Sequence, residues 1–295
     1  MKRKKKPLKI YDIIDFKEED AIPSISAKHK SSFDLAIKIL HLAYDIFPFR
    51  AKGKKTKKSV SSRVKNGLLA LYTQLFRLYR ATIILCRSGC DTESFILLRS
   101  MLDVVSYLLY IAEKDHDARL EHYLHSRALS DVVAVRSGIS AFPSWENIIN
   151  VKWFEDREKE AIKYFKGEHR EDVSIEDIKK KYTLRPDLCA GKVENKMFVK
   201  HYATFHRYAS SITHGENLLE YIKPSTNSDV ILLTSGPTDK GVSFYLLHAM
   251  VFIICAMDRI NDLILETSCE AEIGHLFKEL EAFVKEYNIK EAGEK

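Results

Sequence analysis

The chain has 295 residues, 45% hydrophobic and 30% charged, with a formal net charge of +6. That is globular material able to bury a sizeable core. Only 11 Gly and 7 Pro are present, which argues against a many-stranded, turn-rich sheet and for helices. The five Cys are odd in number and form no C-x-x-C pair, so a disulfide framework is not expected and the reading is of reduced thiols in a cytosolic protein.

No apolar stretch resembling a signal peptide opens the chain. Residues 1–22 read as an irregular basic arm anchored by Ile10, Ile13, Ile14 and Phe16. Residues 1–58 hold sixteen Lys+Arg against seven Asp+Glu, a balance of +9, which leaves −3 for residues 59–295. Two clusters carry this basicity, Lys2 to Lys6 and Arg50 to Lys58. They fit a solvated tail and loop. They also fit an electrostatic footprint for nucleic acid, with Lys52, Lys54, Lys55, Lys57 and Lys58 as the candidate contacts.

A first helix is expected from Ser24 or Ser26 to Phe47, because Phe33, Ile37, Leu40 and Tyr44 recur at helical spacing. Pro48 and Gly53 end it. A long helix follows over 59–88, with Leu68, Leu71, Tyr72, Leu75, Leu78 and Tyr79 on its apolar face and Gly89 as its stop. Asp91 is placed to cap a third helix over 92–114. This helix is strongly apolar, yet it carries Arg99 and Asp103 at i,i+4. A charged pair on such a helix needs polar company, since burying a lone charge is costly.

Further helices are expected over 116–139, 145–166, 174–182 and 194–213, with a loop from Arg185 to Gly191. The stretches 221–223 and 230–234 could pair as a small hairpin. A buried helix over 241–266 and an amphipathic one over 270–287 close the chain. The run Val242–Met257 is the longest apolar one and contains His248, which suits a core helix better than a membrane span. The fold class is therefore all-α: a helical bundle with an inserted helical segment at about 141–192 and at most one short β-hairpin. Residues 1–58 form the basic arm, first helix and Lys-rich loop; residues 59–295 form the helical domain.

The chemistry concentrates on the 194–213 helix and its end. Arg207 and His214 are seven residues apart, about two turns and roughly 10 Å along one helical face. Ser210 and Ser211 lie between them. Guanidinium, hydroxyl and imidazole on one stripe could receive a phosphate. Two E-x-x-H pairs, Glu113/His116 and Glu272/His275, raise the rival of a di-iron carboxylate site. Both pairs fall near helix ends, and Gly274 interrupts one. His122 and His125 at i,i+3 lack a Cys partner. No metal ligand and no cofactor are assigned.

Arg207 and His214 fit R-x(6)-H, the long form of the motif of the HEPN superfamily. Tyr208 follows the Arg, where the ribonucleases of that superfamily usually carry Asn, Asp or His. The chain also resembles an uncharacterised bacterial domain family that pairs an L-R-S-x-x-E helix with a later Y-x-x-x-S-x-x-x-H-G helix. Here the counterparts are Leu98-Arg99-Ser100-Met101-Leu102-Asp103, then Tyr208, Ser210, Ser211, His214 and Gly215. The resemblance implies a metal-independent endoribonuclease, a toxin or antiphage effector, acting on RNA as a homodimer in the cytoplasm. Regulation by a partner protein and no membrane association are also expected. His214 would be the acid/base and Arg207 the phosphate stabiliser. Arg99, Asp103, Tyr208 and Ser211 would support them. The alternative is a non-catalytic helical sensor that binds nucleotide or nucleic acid in the same cleft.

Overall fold

The computed structural model describes residues 9–13, 18–47, 60–169, 177–178, 183–213, 222–224, 230–234, 238–239, 241–265 and 269–293. The architecture is a helical bundle with one small sheet. Its helices are α1 (Glu18–Lys28), α2 (Lys30–Asp45), α3 (Ser62–Arg87), α4 (Asp91–Glu113), α5 (His116–Ala141), α6 (Val151–His169), α7 (Pro186–Ala190), α8 (Lys196–Thr213), α9 (Val242–Ile264) and α10 (Glu270–Gly293). A 3-10 turn at Pro143–Asn147 links α5 to α6.

The Val242–Met257 run forms the centre of the bundle. Every residue from Tyr245 to Met257 is buried, and α2, α3, α4, α8 and α10 all pack on α9. By length and composition alone α3, α4 and α9 could each cross a membrane. In α9 that apolar surface faces other helices. The expected buried helix is thus found, because a helix apolar on all sides must be covered on all sides.

Polar groups inside this core are matched to backbone. Tyr72 Oη donates to Ala43 O at 2.7 Å and Tyr79 Oη to Ala36 O at 2.8 Å, tying α3 to α2. Asn261 Oδ1 accepts from the backbone N–H of Cys269 at 2.8 Å and fixes the turn into α10. Ser243 Oγ lies 2.9 Å from His29 Nδ1 and 2.8 Å from Ser32 Oγ, so a three-residue polar link joins the α1–α2 junction to the start of α9.

The α3 stop is a Schellman motif. Gly89 has φ +76°, its N–H donates to Cys86 O at 3.3 Å, and the Cys90 N–H donates to Leu85 O at 2.9 Å. Cys90 then occupies the N-cap of α4, and Asp91, expected as the cap, is its first helical residue. Ser61 caps α3 by accepting from the Val64 N–H at 3.2 Å.

Several local expectations are corrected. The arm, expected to be irregular, contains strand β1 (Lys9–Ile13). It pairs in parallel with β3 (Val230–Thr234), Lys9 opposite Val230 and Ile13 opposite Thr234. The expected hairpin is present as β2 (Ile222–Pro224) antiparallel to β3, and the sheet order is β1-β3-β2. A strand whose partner lies some 220 residues away has no local signal in its own sequence. The single helix expected up to Phe47 is two, α1 beginning at Glu18 and running through Pro23, and α2 beginning at Lys30 after His29. The Arg185–Gly191 loop contains α7, with Pro186 at its first turn where a missing N–H costs nothing. The 145–166 helix starts only at Val151, where Asn150 Oδ1 accepts from the Trp153 N–H at 3.1 Å.

The inserted segment has a core of its own. α6 packs on α5 through Ala128, Leu129, Ala161 and Phe165, and Ile178 joins the same cluster, separate from the main core. The Arg136 guanidinium makes a two-pronged bond to the buried Glu158 carboxylate at 3.1 and 2.6 Å across this pair.

Candidate functional site at the α4–α8 contact

α8 is rotated by its aromatic residues. Asn195 Oδ1 accepts from the Phe198 N–H at 3.0 Å and starts the helix. Phe198 and Phe205 are fully buried, two turns apart on one face. Phe205 packs on Phe95 of α4 at 4.8 Å and on His248 of α9 at 4.8 Å. With that face fixed, Tyr202 and His206 turn toward α4, and their rings stack at 5.0 Å with 24° between planes.

α4 meets them with its one charged pair. Arg99 and Asp103 form an i,i+4 salt bridge and hydrogen bond, and the other arm of the guanidinium, Nη2, lies 3.4 Å from His206 Nε2. The two side chains are 21% and 34% exposed, so the pair sits at the rim of the core, open to solvent on one side. The N-terminus of α7 adds Arg185 and Asp187, joined at 2.6 Å and largely exposed.

Burial and charge tune these groups. Burial pushes the Asp103 carboxyl above its ordinary range, against the pull of the Arg99 hydrogen bond and charge. Burial and the neighbouring Arg99 charge hold His206 below the usual imidazole range, so it is neutral near pH 7. Burial raises the Tyr202 phenol above its usual range. The Tyr202 hydroxyl is itself buried and has no hydrogen-bond partner among the described residues. A buried hydroxyl beside two guanidiniums, two carboxylates and an imidazole is an acceptor or donor in wait for a polar ligand or water.

Arg99 and Asp103 reach α8 at His206, the residue just before Arg207. The helical backbone continues through Arg207, Tyr208, Ser210 and Ser211 to Thr213. The side chains of these four residues, and the whole of His214, lie outside what the structure describes, as do Lys52, Lys54, Lys55, Lys57 and Lys58. Tyr202 and His206 were not singled out by sequence reasoning. Their signal is an i,i+4 aromatic–imidazole pair on the Arg207 helix, visible only once that helix is known to face the Arg99–Asp103 pair.

The rival metal pairs do not come together. Glu113 pairs with Arg259 at 3.7 Å, and His116 Nδ1 lies 2.8 Å from Ile111 O. Glu272 and His275 line a groove of about 490 Å³ with Lys38 and Leu42, between α2 and α10, and His275 Nδ1 lies 3.2 Å from Glu279. The His125 ring stacks on Tyr164 at 4.4 Å, and His122 packs edge-on against Phe165 at 5.4 Å. Among the described residues no three His, Cys, Asp or Glu side chains gather as a metal ion would require.

A model for a family of unknown function, DUF5677, matches residues 65–229. That span runs from α3 through α4 and α8 to the hairpin and includes every residue of this cluster. No curated protein and no solved structure matches the chain.

Proposed function

The chain belongs to DUF5677, a family of unknown function, and from the motifs on α4 and α8 we propose that it is a metal-independent endoribonuclease of HEPN-like type, with its site on the α4–α8 contact. The observation that carries this reading is the Arg99–Asp103 pair held against His206, one residue ahead of Arg207. α8 is thereby the helix on which α4 converges its only charged residues in a long apolar stretch, and the R-x(6)-H motif begins on it at Arg207.

RNA supplies its own nucleophile, the 2′-OH. In this proposal His214 transfers the proton, since an imidazole near pKa 6.5 can take or give it at neutral pH. Arg207 donates hydrogen bonds to the phosphate as charge builds there, a role suited to a planar guanidinium that stays charged. Asp103 holds Arg99 in place. Tyr208 and Ser211 are assigned to substrate hydrogen bonds by the motif alone. A homodimer, a regulatory partner protein and a cytoplasmic toxin or antiphage role belong to the same proposal and rest on the resemblance. The five cysteines, read as reduced thiols, fit a reducing compartment.

The test is incubation of purified protein with end-labelled RNA in EDTA. Cleavage that survives EDTA and leaves a 2′,3′-cyclic phosphate is expected. Cleavage that requires Mg²⁺ would contradict the mechanism. RNA bound but uncut, with binding lost in Arg207→Ala, would favour the non-catalytic sensor.

A further inference from the structure

We infer that Arg99 and His206 form a phosphate subsite for single-stranded RNA beside the proposed cleavage motif, with Asp103 as an anionic competitor for the same guanidinium. This inference rests on the cleavage-site reading above and extends it to substrate binding.

Arg99 is held from two sides. Its pair with Asp103 occupies one arm, while Nη2, at 3.4 Å from His206 Nε2, makes only a long contact to a neutral ring. A phosphate oxygen accepts far more strongly than an imidazole nitrogen, because both the charge and the fork geometry of a guanidinium favour it. The pair is partly open to solvent, so a backbone phosphate can reach it without a change in the core. The Tyr202 ring stacks on His206 and holds the imidazole against Arg99. His206 immediately precedes Arg207 on α8, which puts the subsite beside the proposed cleavage motif.

The charges facing His206 decide its response to pH. Arg99 and Asp103 face it from α4, and Arg185 and Asp187 from the start of α7; Tyr202 is its neighbour on α8. Acidification through the lowered titration range of this ring adds a positive charge at the subsite, and phosphate binding to it would strengthen as the pH falls below the ordinary imidazole range.

The experiment measures binding of a fluorescent 12-mer RNA, 2′-O-methylated throughout so that it cannot be cut, by anisotropy across pH and salt. Arg99→Gln is expected to weaken binding about tenfold and to lower the log–log salt slope by about 0.7, the share of one single-strand phosphate. Asp103→Asn is expected to tighten binding, because the competing anion is gone. The double variant Arg99→Gln/Asp103→Asn leaves no unpaired charge and should fold, as a thermal melt would verify, yet bind like Arg99→Gln. His206→Asn should abolish the strengthening at low pH.

A structural ion pair predicts instead that Arg99→Gln and Asp103→Asn shift affinity in the same direction or not at all, and either result would overturn the subsite. So would AMP displacing the 12-mer at comparable affinity, which marks a nucleotide pocket rather than a backbone contact. Failure of the cleavage reading is separately visible: wild-type protein would bind but not cut unmodified RNA while the opposite signs at 99 and 103 persist.

Discussion

Tyr202 buries its hydroxyl without a partner among the described residues, and a buried unsatisfied hydroxyl costs about 1–3 kcal/mol. Tyr202→Phe should therefore leave the free protein as stable or make it more stable in urea denaturation. A loss above about 1 kcal/mol would mean that the hydroxyl is bonded in solution. His248 gives a second test at residue scale. It is buried between α8 and α9, its Nδ1 lies 2.9 Å from Phe244 O, and burial pulls its pKa down to about 4. His201, His206, His125 and His29 shift in the same direction, each chiefly through burial. A lowered pKa means that the unfolded chain binds the proton more readily than the folded one. Stability is then full above about pH 6.5 and falls as pH drops toward 4, with His248 contributing on the order of 3 kcal/mol. Thermal melts from pH 7.5 to 4.5 should show this decline, and His248→Phe should flatten it. A melting temperature that is constant over that range would count against a buried neutral imidazole.

At the scale of elements, the joint between α5 and α6 is the place where close approach is visible. A Cβ at Gly138 would come within 2.6 Å of the Trp145 ring. Gly138→Ala should gain about 1 kcal/mol of helix propensity but push the indole off α5. Both tryptophans of the chain, Trp145 and Trp153, lie on this joint. A red-shifted emission maximum is expected in the variant, with little change in RNA binding; an unchanged spectrum would show that the ring can move without exposure.

The elements also show what the sequence could and could not disclose. The apolar run Val242–Met257 was legible as a buried helix because its pattern has no polar face. Gly89 was legible as a stop because only a left-handed residue closes that turn. Strand β1 was not, since five residues acquire a strand's role only from β3, far along the chain. The polar need of Arg99 and Asp103 was legible from the apolar residues around them. That His206 and Tyr202 answer it depends on how α8 rolls, which Phe198 and Phe205 fix by packing on α4 and α9.

For the whole molecule, the separation of charge matters most. Residues 1–58 carry +9 and the remainder −3, so long-range attraction for RNA must come chiefly from the N-terminal part. Neutralising Lys52, Lys54, Lys55, Lys57 and Lys58 together should weaken RNA binding across all sequences and flatten its salt dependence, by about 0.7 in slope per phosphate released. An unchanged slope would identify these lysines as solvated bystanders and leave Arg99 to act alone.

The proposed RNA-cleaving site, with Arg207 on α8 and His214 as acid/base, uses the substrate's own 2′-OH. Single-turnover cleavage of one labelled RNA, unmodified or 2′-O-methylated at the cut position, tests it most directly when wild type is compared with His214→Ala. Wild type is expected to cut only the unmodified strand, and His214→Ala to be slower by about 10²–10⁴. Equal rates for the two proteins, or cutting of the methylated strand, would contradict it.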